Sequence, residues 1–442
     1  MAGRRPMKRV LIISPHFVPV NAPDCQRVRL SLPYYRQFGW EAEVLAVHHR
    51  HRADWLDNSL LASLPGDVPV HYCGAVPRGI TQFIGIHNLG LRCLPYLNGA
   101  ARRLLRLRHY DLVFFSTTQF MVTPLGALWR KKFGVPYVID IQDPWRSDYY
   151  ERPGAPTPPG GWKYQFARLT AWLFEERAYR EASGLISVSH HYFRDLRQRY
   201  PTWFDRQVRQ VIPFGGPKAD FDYLAAHPAP PAYTLPADGR RHWVAAGSLG
   251  AQFSHALRVL FAGLRRLREQ NPAAAARLHF HFVGTSYAPA EEARPSAKPV
   301  AEAYGVGDLV TELPHRIGYL DSLRLMQAAD GLVLLGTDDL AYSPSKIYPY
   351  YMTERPILAL AHHESLLHDI IAQLKCACLV ELLPPGREME PPAKVAEFLA
   401  LAGGDEPPPM PRRDPIWFNR NLTAEAGAQR QCALFDSIAS GG

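Results

Sequence analysis

The residues of this chain best suited to chemistry lie in three short stretches. The first is SPSKIYPYYMTERPILAL, Ser343 to Leu360, where a small-residue loop and Lys346 precede a helical pattern through Ile347 to Thr353. Leu332 to Leu335 before it is an apolar run suited to a parallel strand covered on both faces, which makes Gly336 to Ser345 a loop at a strand's C-terminal end. Open α/β sheets bind ligands at that end. Ser343, Pro344 and Ser345 supply a cap and a proline for the first turn, so free N–H groups and the Lys346 charge suit an anion. Arg355-Pro356 closes the helix, and Ile357 to Leu360 is the next buried strand. The second stretch, YVIDIQDPW at Tyr137 to Trp145, places Asp140 and Asp143 at another strand end, where a carboxylate can accept the proton of a hydroxyl. The alternatives are that Asp143 caps a turn, Trp145 packs and Asp140 is structural. The third, SPHFVPVNAPDCQRVRL at Ser14 to Leu30, carries His16, Asn21 and Arg27. Arg27 either serves an anion from a helix's first turn or lies on a solvated face, and His16 is either a packed histidine or a chemical one.

Positioning these groups calls for parallel sheets. Val10 to Ser14 reads as a strand, followed by a loop from Pro15 to Asp24, a helix from Gln26 to Phe38 stopped by Gly39, and a second strand at Glu43 to Val47. Further strands are expected at Val68 to Tyr72, Leu112 to Phe115, Tyr137 to Ile141 and Leu185 to Val188, with helices at Pro124 to Phe133 and Trp162 to Ala182. The alternation resumes at Trp243 to Ala246 and continues through His279 to Gly284, Val310 to Leu313, Leu332 to Leu335, Ile357 to Leu360 and Cys378 to Leu382. A last helix is expected at Thr423 to Ile438. At 442 residues the chain exceeds one ordinary core and fits two domains of about 200 residues each. Proline clusters at Pro153 to Pro159, Pro228 to Pro236 and Pro407 to Pro411 read as ordered or semi-rigid connections, the first a candidate lid or acceptor loop.

Composition narrows the class. Hydrophobic residues make up 47%, yet no apolar run is long enough to span a bilayer and no secretory leader is recognisable, so the chain reads as soluble and cytoplasmic. The six cysteines are scattered; Cys376 and Cys378 alternate as in a strand instead of showing zinc-ligand spacing, which favours reduced core thiols. The net charge is +9. Between Arg78 and Arg108 six arginines and no acidic residue are interspersed with apolar ones, which suits either an anionic membrane surface or a solvated face on core helices. No stacking or base-reading motif accompanies the charge, so nucleic acid is not expected.

The Ser343 to Leu360 stretch resembles the GT-B glycosyltransferases, in particular the family-4-like enzymes that use nucleotide-sugar donors. Their second domain commonly reads Pro-Ser-Lys-(apolar)-x-Glu-Tyr-x-(small)-x-Gly-(Lys/Arg)-Pro-(apolar)-(apolar)-Ala. Pro344, Ser345, Lys346, Ile347, Tyr350, Arg355, Pro356, Ile357, Leu358 and Ala359 fit, whereas the ribose-binding glutamate falls on Pro349 and the glycine on Glu354. YVIDIQDPW resembles the family's strand-loop pattern through Asp140, Asp143, Pro144 and Trp145, with Gln142 for arginine. Ser116 to Thr118 stand where many members carry a histidine, and the loop after the first strand is a proline-rich variant without glycine. AAGSLG at Ala245 to Gly250 matches a glycine-rich turn, but Ser248 and Phe253 replace the arginine and lysine that clamp the diphosphate, leaving Lys346 and backbone N–H groups. VIPFGG at Val211 to Gly216 resembles the Ile-Pro-Asn-Gly hinge.

The resemblance implies an α/β GT-B fold: two Rossmann-like parallel-sheet domains facing across a cleft, with a C-terminal helix returning to the first. Residues 1–211 would form the acceptor domain, 212–415 the donor domain and 416–442 the returning helix. Donor binding would fall to Gly247, Ser248, Gly284, His315, Arg316, Ser343, Ser345 and Lys346, with Asp338 and Asp339 either near the donor sugar or solvated. The acceptor side would comprise His16, Asn21, Arg27, Thr118, Asp140, Asp143 and Trp145, with Asp143 and Lys346 carrying the chemistry. The implied reaction moves a sugar from a nucleotide-activated donor to a hydroxyl of a glycan or lipid-linked acceptor, in cell-surface polysaccharide or glycoconjugate synthesis. Configuration would be retained, with no metal and no cofactor beyond the nucleotide-sugar co-substrate, and residues 78–108 would allow peripheral contact with the inner face of the membrane. The losses at Ser248, Phe253 and Pro349 keep open a catalytically silent GT-B binding subunit, and a GT-B epimerase or phosphorylase is the other alternative.

Overall fold

Apolar runs such as VLII, LVFF and GLVLL cannot leave either face in water, and they form central strands of two all-parallel sheets, each in its own compact unit. The computed structural model describes residues 7–440 except 52–54, 82–85, 147–160, 338, 341, 343 and 383–389. The expected lid at Pro153 to Pro159, Ser343, Asp338, and Phe83 and Ile84 of the basic segment therefore lie outside the described residues.

One unit comprises residues 1–219 with 421–442. Its strands are β1 (Lys8–Ile13), β2 (Trp40–Val47), β3 (Val70–Cys73), β4 (Leu112–Ser116), β5 (Tyr137–Ile141), β6 (Gly184–Ser187) and β7 (Arg209–Val211), in the order β3-β2-β1-β4-β5-β6-β7. The other unit, residues 220–420, holds β8 (Arg241–Ala246), β9 (Leu278–Val283), β10 (Val310–Leu313), β11 (Gly331–Leu335), β12 (Ile357–His362) and β13 (Cys378–Leu382), ordered β10-β9-β8-β11-β12-β13. Both sheets are doubly wound. The order reverses between β1 and β4 in one and between β8 and β11 in the other, which marks the C-terminal edge there as the place for a ligand.

Three local readings needed correction. The helix expected over Gln26 to Phe38 is a helix at Gln26–Ser31 and a 3-10 turn at Tyr35–Phe38, because Pro33 has no N–H to continue the ladder. β7 was not anticipated: RQV is short and partly exposed, as an edge strand can be. The helix after Lys346 runs only from Ile347 to Met352 and has no side-chain cap, so it lacks the serine cap that the sequence suggested.

In the second unit, Trp243, Phe280, Phe282, Leu260 and Leu264 join Phe398 and Leu399 in the core beneath the helices Ser254–Gln270 and Glu390–Ala402. Gly263 lets these helices meet, since a Cβ there would stand 2.5 Å from Val395. In the first unit the helix Ala424–Ala439 is capped by Thr423 and lays Phe435 against Trp40 (5.4 Å between ring centres) and Phe114 (5.1 Å). Gln431 accepts from the Tyr35 hydroxyl at 2.6 Å and donates to Ser31 at 3.1 Å. The last helix thus completes the first unit's core, as expected. Gly215 lies so close to Ala424 that a Cβ would fall 2.6 Å from its nitrogen. Among the described residues no helix is long and apolar enough to cross a membrane, and all six cysteines are free.

Candidate functional site

In the first unit the polar groups gather where β1 and β4 end side by side. The Ser14 hydroxyl donates to the His16 carbonyl at 2.7 Å, closing the turn that follows β1. Asp24, in the turn before the helix Gln26–Ser31, is 3% exposed. Its carboxylate lies 2.8 and 3.0 Å from His16 Nδ1. It also accepts from Thr117 Oγ1 at 3.1 Å, from the Thr118 N–H at 3.2 Å and from Thr118 Oγ1 at 3.1 Å. Burial alone would raise the Asp24 pKa, but the His16 imidazole and the Thr118 donors outweigh it and hold the carboxyl below its ordinary value. An ionised Asp24 can only accept, so His16 Nδ1 carries a proton and, in the neutral ring, Nε2 carries the lone pair.

A second layer lies beneath. Asp140, at the end of β5, is 1% exposed; it accepts from Ser116 Oγ at 2.8 Å, and Arg27 Nε lies 2.9 Å away. Burial pushes the Asp140 carboxyl up, an effect that Arg27 and Ser116 counter only in part. Arg27 also donates to the Ile212 carbonyl at 2.6 Å and to that of Pro213 at 3.4 Å, and lies 5.2 Å from the Phe214 ring centre. The anion that Arg27 serves is therefore the protein's own Asp140, and its solvated alternative is excluded by burial. Gln142 ties the layers together, donating to Ser116 Oγ at 3.0 Å and to the Asp24 carbonyl at 3.2 Å.

The remaining acceptor-side candidates stand differently. Asn21 is buried and donates to Asp57 at 3.3 Å. Asp143 is exposed, while Trp145 stacks on Phe120 with ring centres 5.5 Å apart and meets Tyr179 edge-on. Glu175, almost wholly buried, anchors this loop by accepting from the Arg146 N–H at 2.9 Å. Asp24, Thr117, Gln142 and Phe214 are the members of the cluster to which sequence reasoning gave no role; an acid eight residues after His16, in a loop, has no periodicity to reveal the pairing.

In the second unit β8 and β11 end side by side around Lys346. A Cβ on Gly247 would lie 2.6 Å from Lys346 Nζ and 2.5 Å from Cε, so the side chain rests on bare backbone whose φ of 103° also favours glycine. Nζ has no hydrogen-bond or ion-pair partner among the described residues. Burial pushes its pKa down to about 8, which still leaves the ammonium form predominant at neutral pH. The Tyr350 hydroxyl accepts from the Ala246 N–H at 3.0 Å and fixes the short helix to the end of β8. Gly247, Leu335, Tyr342, Pro344, Lys346 and Tyr350 line a small recess.

Gly284, with φ 74°, lies within 4 Å of Gly247 and of the Arg316 Cα by the same Cβ measure, so three loops converge beside the recess. The Arg316 guanidinium lies 5.3 Å from the Tyr287 ring centre. His315 and Ser345 are exposed, Ser248 is partly buried, and Ser343 is outside the described residues. Phe253, where the resemblance would have a lysine, is buried edge-on against Tyr342 at 6.1 Å. Pro349 sits inside the short helix.

Residues 26–215 match the family model of the glycosyl transferase 4-like domain. No curated protein sequence matches the chain. Among solved structures, the α,α-trehalose-phosphate synthase (UDP-forming) of Burkholderia xenovorans, in complex with glucose-6-phosphate, is 13% identical with a TM-score of 0.62, over 98% of this chain and 99% of that one. The α,α-trehalose 6-phosphate synthase of Burkholderia multivorans is 12% identical with a TM-score of 0.57, over 98% and 100%. Anabaena HepE in complex with UDP-glucose is 15% identical with a TM-score of 0.55, over 98% of both chains. At such identities the likeness shows the fold, which is GT-B.

Proposed function

We propose that this GT-B chain, whose residues 26–215 carry a glycosyl transferase 4-like domain, transfers a glycosyl group from a nucleoside-diphosphate sugar to a hydroxyl acceptor. The single observation that carries the reading is Lys346: an ammonium without a counter-charge among the described residues, seated on a glycine at the switch point of a doubly wound sheet. A diphosphate in the recess supplies the missing negative charge. Stabilising that charge as the leaving group departs is the electrostatic part of the reaction. HepE and the trehalose-phosphate synthases bear on the donor only by their names and complexes: UDP-glucose is bound to the one, and UDP-forming describes the other.

Calorimetric titration with UDP, GDP and ADP sugars tests this. One nucleotide class should bind, and Lys346→Ala should weaken it by about 1.5–3 kcal/mol, the usual worth of a hydrogen bond to a charged group. A variant that binds as well as the wild type would remove Lys346 from the site.

Phe253 and Pro349 favour a second reading, a nucleotide-sugar binding subunit without turnover, since neither supplies the polar group that the resemblance implies at its position. Tight donor binding without transfer to any acceptor or to water would identify it. For the acceptor, we extend the proposal to a lipid-linked glycan met at an anionic membrane surface, supported by the basic helix Leu89–Leu107.

A further inference from the structure

We propose that the turn closing β12, in the second unit, is a binding site for a divalent transition cation of the zinc class, held by His362, His363 and Glu364. These consecutive residues each bring one ligand atom within 4.8 Å of the other two. Ligands at about 2.0–2.2 Å from a tetrahedral zinc stand roughly 3.3 Å apart, so the side chains close by at most about 1.5 Å to reach the ion. His363 Nε2 already lies 3.9 Å from Glu364 Oε1.

The backbone beneath the donors is fixed. The His362 carbonyl accepts from the Ser365 N–H at 2.9 Å and from the Ser365 hydroxyl at 2.7 Å. Ser365 Oγ in turn accepts from the His368 N–H at 3.2 Å and caps the helix Leu366–Leu374. The turn is thus held by the strand it leaves and the helix it enters, and the ordering cost of binding falls on three side chains. His362 Nδ1 accepts from the Glu364 N–H at 3.3 Å, a long contact that a cation at Nδ1 displaces at small cost. The His363 and Glu364 side chains are 40% and 63% exposed, so the ion reaches them from solvent and water completes its coordination.

The donor set selects the metal. Two imidazoles and a carboxylate suit zinc, nickel and copper, whereas magnesium and calcium take oxygen ligands. Adjacent histidines alone do not suffice. His48 and His49 have ring centres 4.4 Å apart, against 4.6 Å for His362 and His363, but Arg50 follows them, and its charge opposes a cation where Glu364 attracts one. The loop between β11 and Lys346 rests on the same region: the Gly336 N–H donates to the Leu360 carbonyl at 2.6 Å, and the Leu366 N–H to that of Leu340 at 3.2 Å. A cation clipping the end of β12 stiffens the seat of that loop. It takes no part in bond making, and the inference is independent of the transferase reading.

The test titrates the untagged full-length protein, stripped with EDTA and dialysed, with zinc chloride and separately with magnesium chloride at neutral pH in a calorimeter. A saturable zinc site is expected at one equivalent per chain, with magnesium bound far more weakly. His363→Gln and Glu364→Gln change solvent-exposed side chains and should fold as the wild type does, which their unfolding midpoints without metal check. Each should weaken zinc at least about tenfold, the loss that even an outer-shell partner of a metal ligand causes. Zinc should raise the unfolding midpoint of the wild type and not that of His363→Gln, while His49→Gln should bind zinc unchanged. No saturable zinc binding by the wild type, or unchanged affinity in both His363→Gln and Glu364→Gln, overturns the site. Magnesium bound as tightly as zinc overturns the assignment to a transition cation.

Discussion

At the scale of single residues, the two units use buried charge in opposite ways. Lys346 has no counter-ion among the described residues and lines a small recess, whereas Arg27 and Asp140 neutralise each other in the interior. A buried pair of this kind is worth less for its mutual attraction than for the cost of breaking it. Asp140→Leu alone should therefore destabilise the protein by about 3–5 kcal/mol, because the Arg27 charge would stay buried and uncompensated. Arg27→Met combined with Asp140→Leu should recover at least half of that loss in urea unfolding. Equal midpoints for the single and double variants would show that the pair is not the source. The residue-level chemistry was only partly legible in the sequence. Lys346 stood out because its loop, helix and strand are adjacent in the chain. The His16–Asp24 pairing did not, because it depends on where β4 delivers Thr117 and Thr118, some ninety positions later.

At the scale of elements, apolar runs were the clearest signal. The central strands were readable from VLII or YVIDI alone, since a strand covered on both faces admits little else. β7 and the break at Pro33 were missed for contrary reasons: one too short and polar to register, the other a single residue interrupting a good helical pattern. The basic segment shows what a charge count leaves out. Within the helix Leu89–Leu107, Leu89, Cys93, Leu97, Ala101 and Leu105 face the core, and Arg92 is buried, donating to the carbonyls of Val76 and His51. The exposed remainder is Pro95, Tyr96, Gly99, Arg103, Arg106 and Leu107, followed by Arg108. If this face meets lipid, the protein should pellet with phosphatidylglycerol vesicles and not with phosphatidylcholine ones, and salt should weaken the binding. Arg103→Glu with Arg106→Glu should abolish it. Equal pelleting with both lipids, or with neither, would dispose of the membrane surface.

At the scale of the whole molecule, one cluster in the second unit contributes to acid sensitivity. His242, His279 and His281 lie on β8 and β9, each at most 6% exposed. His242 Nδ1 lies 2.9 Å from His281 Nε2, Tyr233 meets His281 at 2.8 Å, and Thr311 meets His279 at 2.8 Å. Arg240 approaches His279 at 2.7 Å, and Asp238 approaches His242 at 3.1 Å. Burial, reinforced by Arg240 and the neighbouring rings, pushes His279 down to about 4 and His281 down to about 3. The unfolded chain protonates these rings near their ordinary 6.5, well before the folded protein does. Stability should therefore be full above pH 6.5 and fall steadily as the pH drops toward 4. Thermal unfolding at pH 7, 6, 5 and 4 would show it, and His281→Gln should flatten the slope. An unchanged slope in that variant would place the acid sensitivity elsewhere.

The chain leaves the first unit at Ala219 and returns to it at Asn421. Trp40, Phe114 and Tyr35 consequently wait for Phe435 while about two hundred intervening residues are synthesised, an interval of roughly 10–40 s at ~5–20 residues per second. During translation the first-made sheet has an uncovered aromatic face, whereas the later-made unit can close its own core as soon as it emerges. The nascent first half is thus the natural client for a chaperone, and truncation anywhere before the last helix should yield an aggregating fragment instead of a smaller stable protein.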